Sequence, residues 1–267
     1  MDTLLKKMRL LLISIGSRYV NRIAQKRLET QHSDLWQALQ TYMARSGSTG
    51  CSYSDYWTLY HYVRKEKPKE ILECGTGVST LVLAYALMEN ERDGYGTGRI
   101  TSMEELAQYF DTALDLMPAR FRNYVDFVLS PKVEDTYFIY RGVRYQEVPD
   151  RRYTFVFVDG PGTIAPSDGT LTFNFDYIRV VMNSQHPVFA IIDQRLLTCY
   201  VFQKVFGVSK VRYDVLRKLT YVGPCSKGDL RIITKSSGPA LKHSLRLFRN
   251  TVFHLKMEPQ LTSKGGE

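Results

Sequence analysis

Four groups of polar residues have the types and spacing to do chemistry. They are Glu73-Cys74-Gly75-Thr76-Gly77-Val78-Ser79, the pair Glu104-Glu105, Asp159-Gly160-Pro161-Gly162, and Asp193-Gln194. Each follows an apolar run. Glycines at 75 and 77 let the backbone turn sharply and let a ligand come close. A helix starting near Ser79 would offer unpaired amides and the positive end of its dipole. A carboxylate placed as Glu104 is can accept both hydroxyls of a ribose, with Glu105 as the second choice. Asp159 and Asp193 could hold a cation or move a proton. A dinucleotide fingerprint would need a third glycine where Thr80 stands, and the lysine of a phosphate-binding loop is absent. Taken alone, Gly-x-Gly also fits an ordinary tight turn.

These groups need elements that bring them to one place. Residues 70–74, 99–103, 124–129, 153–158 and 188–192 read as strands. Helical patterns run over 79–88, 106–117, 175–184 and 198–206. Residues 210–216 and 230–234 are expected to close the sheet. Strands alternating with helices predict a parallel sheet covered on both faces. Ligands in such sheets bind outside the carboxyl ends of the strands, and all four groups fall there. Before the first strand, Ser54-Asp55 is expected to cap a helix from Tyr56 to Glu66, ended by Pro68. Residues 134–152 read as a basic, Tyr-rich excursion.

Glu-x-Gly-x-Gly-x-Ser at 73–79, a strand ending Ser102-Met103-Glu104, and then Phe157-Val158-Asp159-Gly160-Pro161 make an ordered set. It resembles the class I S-adenosylmethionine-dependent methyltransferases over residues 52–235. Within them it is most similar to small-molecule O-methyltransferases of the catechol O-methyltransferase type. The resemblance implies an α/β, Rossmann-like fold. Its sheet would be mainly parallel and seven-stranded, with helices on both faces and an N-terminal helical extension. It also implies binding of S-adenosyl-L-methionine. Glu73, Gly75, Gly77 and Ser79 would surround the methionine part, Glu104 would hold the ribose, and Ser130 would lie near the adenine. Asp159 and Gly160 would face the reactive methyl end.

In the catechol-type enzymes, acidic residues ending the fourth and fifth strands hold Mg²⁺, with an amide residue after the second. Asp159, Asp193 and Gln194 stand in those places. Gln194 replaces the usual Asn, and Gly160-Pro161 departs from the usual residues. A metal site, metal-free catalysis by Asp159 or Asp193, and plain polar strand ends therefore all stay open. His61 and His186 are further candidate bases, although lone histidines are usually structural. Lys132 and Arg195 could clamp an anionic substrate or be ordinary surface charge.

The chain has 267 residues, 44% hydrophobic and 24% charged, and a formal charge of +9. This predicts one globular α/β domain with end extensions: a helical extension over 1–45, the methyltransferase domain over 46–235, and a basic helical tail over 236–267. No apolar run reaches the length of a membrane span. The four cysteines form no C-x-x-C pair, which argues against a zinc site and for a reducing, cytoplasmic setting. Leu4, Leu5, Met8, Leu11, Leu12, Ile15 and Tyr19 follow helical spacing beside basic residues. This segment fits an amphipathic helix better than a short signal peptide. Packing on protein is its plainer role; a homo-oligomer contact and peripheral membrane contact through residues 1–27 are the others. The expected activity is O-methylation of a small-molecule or sugar-like acceptor. RNA methylation, favoured by the charge, lacks an appended RNA-binding module. A non-catalytic cofactor-binding or membrane-associated scaffold is the remaining reading.

Overall fold

The structure, a computed structural model, describes residues 2–46 and 52–233. The expected tail at 236–267 lies outside the described residues, as do residues 47–51.

Five parallel strands form the frame: β1 (Glu70–Cys74), β2 (Arg99–Glu104), β3 (Val125–Leu129), β6 (Phe155–Val158) and β8 (Val188–Asp193). With β9 (Val211–Asp214) and β10 (Leu219–Cys225) they make a seven-stranded sheet in the order β3-β2-β1-β6-β8-β10-β9. Only β10 runs against its neighbours. The central strands are buried on both faces, which is why 155–158 reads as an unbroken apolar run. The fold is the expected Rossmann-like α/β arrangement.

Helices cover both faces. On one lie α3 (Tyr53–Glu66) and α4 (Val78–Asn90), together with α1 (Asp2–Gln31) and α2 (Ser33–Ser46). Leu28, Leu35 and Leu39 are fully buried in the same core as Ile71 and Leu81. The helices before residue 46 are thus built into the core, and α4 is buried on nearly every side. On the other face, α7 (Asp176–Asn183) and α8 (Leu196–Phe206) pack Ile178, Val181, Phe202 and Phe206 against Val156 and Ile192. Two short helices, α5 (Ala107–Leu116) and α6 (Ala119–Arg122), lie between β2 and β3 in the chain.

Three expectations are corrected. The excursion at 134–152 contains a hairpin, β4 (Lys132–Tyr137) with β5 (Tyr140–Tyr145); β7 (Phe173–Asn174) joins it to form a second sheet. Ion pairs hold that hairpin, Arg141 to Glu134 at 2.5 Å and Arg144 to Asp135 at 2.6 Å, so its charges hid its strands. The last strand is 219–225 rather than 230–234. Residues 230–233 form no strand, and Arg231 donates its N–H to Val205 O. Finally, α3 starts at Tyr53 and not Tyr56. Asp55 sits in its first turn and accepts the N–H of Ser52 at 2.7 Å.

Candidate active site

The carboxyl ends of β1, β2, β6 and β8 open into a cleft of about 420 Å³. Its lining includes Gly75, Thr76, Glu104, Tyr109, Tyr145, Asp159, Gly160 and Arg195, with Ser46 at the end of α2. A hollow of about 480 Å³ beside Arg151 and Arg179 lies at the other end of β6, and none of the four sequence groups reaches it.

Two glycines set the floor. Gly75 has φ +99°, and a Cβ there would lie 2.9 Å from the Asp159 carbonyl carbon. A Cβ on Gly160 would lie 2.7 Å from Gly75 Cα and 2.6 Å from the Tyr145 hydroxyl. The turns after β1 and β6 therefore touch backbone to backbone. Gly77 differs, because a Cβ there would meet nothing within 4 Å.

The residues expected around the cofactor divide into two sets. Glu104 stays at the cleft: its Oε1 accepts the N–H groups of Glu105 (2.9 Å) and Leu106 (3.0 Å), and burial raises its pKa. Glu105 also lines the cleft, but its carboxylate is engaged, accepting the Gly162 N–H at 2.5 Å and pairing with Lys132 at 3.2 Å. Lys132 also donates to Gly162 O, so that cation is spent on the loop. Glu73, in contrast, is fully buried beneath α4. It accepts hydrogen bonds from Ser79 Oγ (2.7 Å), Thr80 Oγ1 (2.6 Å) and Ser102 Oγ (2.7 Å). Burial pushes its pKa up to about 7 despite these donors. Neither Glu73 nor Ser79 lines the cleft, because alternation along β1 turns Glu73 to the α4 side. Ser130 follows β3 and is buried, its Oγ accepting the Glu147 N–H at 2.9 Å.

The acidic strand ends do come together. Burial, reinforced by the nearby charges of Asp159 and Asp55, drives the Asp193 pKa well up. Asp193 Oδ1 is buried without a hydrogen-bond partner. Burial also pushes Asp55 up to about 6. Arg195 supplies the positive charge: its guanidinium lies 3.5 Å from Asp159 Oδ1 and also donates to Asp159 O, Pro161 O and Asn174 Oδ1.

Asp159, Asp193 and Gln194, the set expected to hold a metal, meet a competing cation. A guanidinium already stands against Asp159. Gln194 follows the strand with φ +39°, its N–H bonded to Lys218 O.

The histidines are not brought to the cleft. His61 lies on α3 in a separate hollow, its ring 4.6 Å from that of Trp57, and burial lowers its pKa. It is placed there by the helical face that packs Trp57. His186 precedes β8, at the opposite edge of the sheet, where its Nε2 meets an Arg152 nitrogen at 2.9 Å.

Three residues of the site escaped the sequence reading. Asn174 is fully buried and donates Nδ2 to Gly160 O (3.0 Å) and Pro161 O (2.8 Å), fixing the loop that carries Asp159. Tyr145 donates its hydroxyl to Met103 O at 3.3 Å and lines the cleft. Asp55 read only as a helix cap. Asn174 and Tyr145 belong to the small second sheet, which the strand reading missed. Of the residues lining the cleft, only Arg195 is basic.

No protein-family model matches this chain, and no curated protein matches it. Solved structures do. The O-methyltransferase TomG of Streptomyces achromogenes, solved in complex with SAM, is 17% identical with a TM-score of 0.40, over 60% of this chain and 64% of that one. The chain thus spans less than two thirds of TomG. An O-methyltransferase of Bacillus cereus, solved with SAH, is 15% identical with a TM-score of 0.49, over 78% of this chain and 100% of that one. The SAH-bound methyltransferase PaMTH1 of Podospora anserina is 15% identical with a TM-score of 0.45, over 71% and 73%.

Proposed function

We propose that this chain transfers a methyl group from S-adenosylmethionine to an oxygen of a small acceptor, with Arg195 in place of a metal. The observation that carries the reading is Glu104. Its carboxylate ends the second strand of a parallel sheet and borders a cleft whose floor is the Gly75–Gly160 contact. A carboxylate there, anchored by two backbone N–H groups, is pre-set to accept a pair of ribose hydroxyls.

The bound cofactor supplies a methyl group on a sulfonium, ready for in-line displacement. Thr76 and Gly160 flank the space for it. Arg195, at the N-terminus of α8, orients an oxygen-bearing acceptor and balances the charge that develops on its oxygen. Asp193, which ends β8 two residues before Arg195, accepts the proton of the acceptor hydroxyl. Asn174 keeps Arg195 and the Asp159 loop in register.

Labelled methyl transfer to a panel of hydroxylated acceptors tests the reading, run with a chelator and with added Mg²⁺. Transfer that persists in chelator and falls steeply in Arg195→Ala is the expected result. Transfer abolished by chelator and restored by Mg²⁺ would overturn the metal-free assignment. Absence of transfer to any acceptor, with intact cofactor binding, would favour the scaffold reading.

A further inference from the structure

The first five turns of α1 expose an apolar stripe, with Leu5 and Leu10 exposed outside it. Leu4, Met8, Leu11, Leu12, Ile15 and Tyr19 recur at helical spacing and are between 52% and 66% exposed. They span about 22 Å at 1.5 Å per residue. Side chains at this spacing share one side of a helix.

Contacts with the domain begin at Gly16, one turn beyond Leu12, and continue on the side away from the apolar stripe through Asn21, Ala24 and Leu28. A Cβ on Gly16 would meet Leu216 at 2.9 Å, Asn21 Oδ1 accepts the Ser54 N–H at 3.0 Å, and Ala24 and Leu28 are buried. Leu216 lies in the turn between β9 and β10, beside the strand pair Leu219–Asp193. The helix therefore crosses the sheet at its cleft-bearing edge and turns its apolar face outward.

Charge decides what covers that face. From Leu4 to Leu28 the sequence holds seven Lys and Arg and no Asp or Glu. Lys7, Arg9, Arg18, Arg22 and Lys26 are all exposed. A second copy of the helix would set like charges against each other. The chain's own residues 236–267, with five Lys and Arg against two Glu, carry the same sign. A nucleic acid would use the cations but not the leucines. No helix among the described residues is long and apolar enough to cross a membrane.

We infer that α1 docks on an anionic lipid surface, its apolar face entering the boundary between headgroups and acyl chains, so that the cleft-bearing edge faces the bilayer. An apolar stripe sinks into the interface while basic neighbours meet anionic headgroups.

Flotation of the full chain with phosphatidylcholine vesicles, with and without phosphatidylserine, tests this. The chain should float with phosphatidylserine-containing vesicles and stay behind with pure phosphatidylcholine. Leu11→Asp with Ile15→Asp should abolish flotation while circular dichroism stays unchanged, since both positions are exposed. Lys7→Ala with Arg9→Ala should lower partitioning by about fivefold per cation removed. Failure to float, flotation indifferent to phosphatidylserine, or unaltered flotation of the double Asp variant would overturn the inference. So would sedimentation showing a dimer that the Asp substitutions split while vesicles go unbound. That result would assign the face to a second copy.

Discussion

Glu73 keeps its carboxyl in a fully buried pocket of three hydroxyls, with a pKa pushed up to about 7 by burial. An acid whose pKa rises on folding holds its proton better in the folded state. Its stabilising effect is complete below the unfolded value and is lost as pH climbs through the folded one. The expected loss is on the order of 3 kcal/mol across that window, at about 1.4 kcal/mol per pKa unit. Glu73→Gln should match wild type near pH 5 and unfold at higher denaturant than wild type near pH 8; parallel pH dependences would contradict this. Asp193 is raised in the same direction, but as a proposed proton acceptor it must lose its proton to act. The rate of methyl transfer should therefore fall as pH drops, with a midpoint well above the usual carboxylate value of about 4. That limb should vanish in Asp193→Asn, and a chelator should not move it. A profile flat down to pH 5 would remove Asp193 from the mechanism. At this scale the sequence displayed residue types but not their partners. Glu73 was expected near the cofactor from the family resemblance, and the three hydroxyls that enclose it lie 6, 7 and 29 residues away. Arg195 read equally as a clamp for an anionic substrate or as surface charge, because nothing in its spacing pointed to Asp159.

Gly75 and Gly77 look equivalent in the sequence, and the strand-to-helix turn that holds them treats them differently. Gly75 combines φ +99° with backbone 2.9 Å from where a Cβ would sit. Gly75→Ala should cost about 1–3 kcal/mol of stability through backbone strain and crowding. Gly77→Ala should leave stability unchanged, since a Cβ there meets nothing within 4 Å. Denaturant unfolding separates the two, and equal losses of stability would contradict the distinction. Elements were legible wherever a single periodicity ran uninterrupted. Residues 155–158 and 188–192 lie in strands with only apolar side chains. β10 was missed because Gly223-Pro224 interrupts it, and a proline there argues against a strand interior. The chain accommodates it where the pairing with β8 shifts register between Val222 and Cys225. β4 and β5 were missed because paired charges interrupt their apolar pattern, although Tyr137, Val143 and Tyr145 are buried in the core.

The charge of the whole molecule is distributed so that binding surface and cleft have different characters. Cations crowd α1, while the cleft sets Glu104 and Asp159 against the single base Arg195. The same helix has two functions along its length: its second half closes the core through Ala24 and Leu28, and its first half leaves its apolar side uncovered. The central claim concerns the cleft, and calorimetry with S-adenosylmethionine or its demethylated product tests it most directly. Wild type should bind at about micromolar affinity, roughly −8 kcal/mol. Glu104→Ala should lose about 1.5–3 kcal/mol of that through the missing charge-assisted hydrogen bonds, with Glu105→Ala less affected. No binding by wild type, preference for NAD, or wild-type affinity in Glu104→Ala would contradict the account.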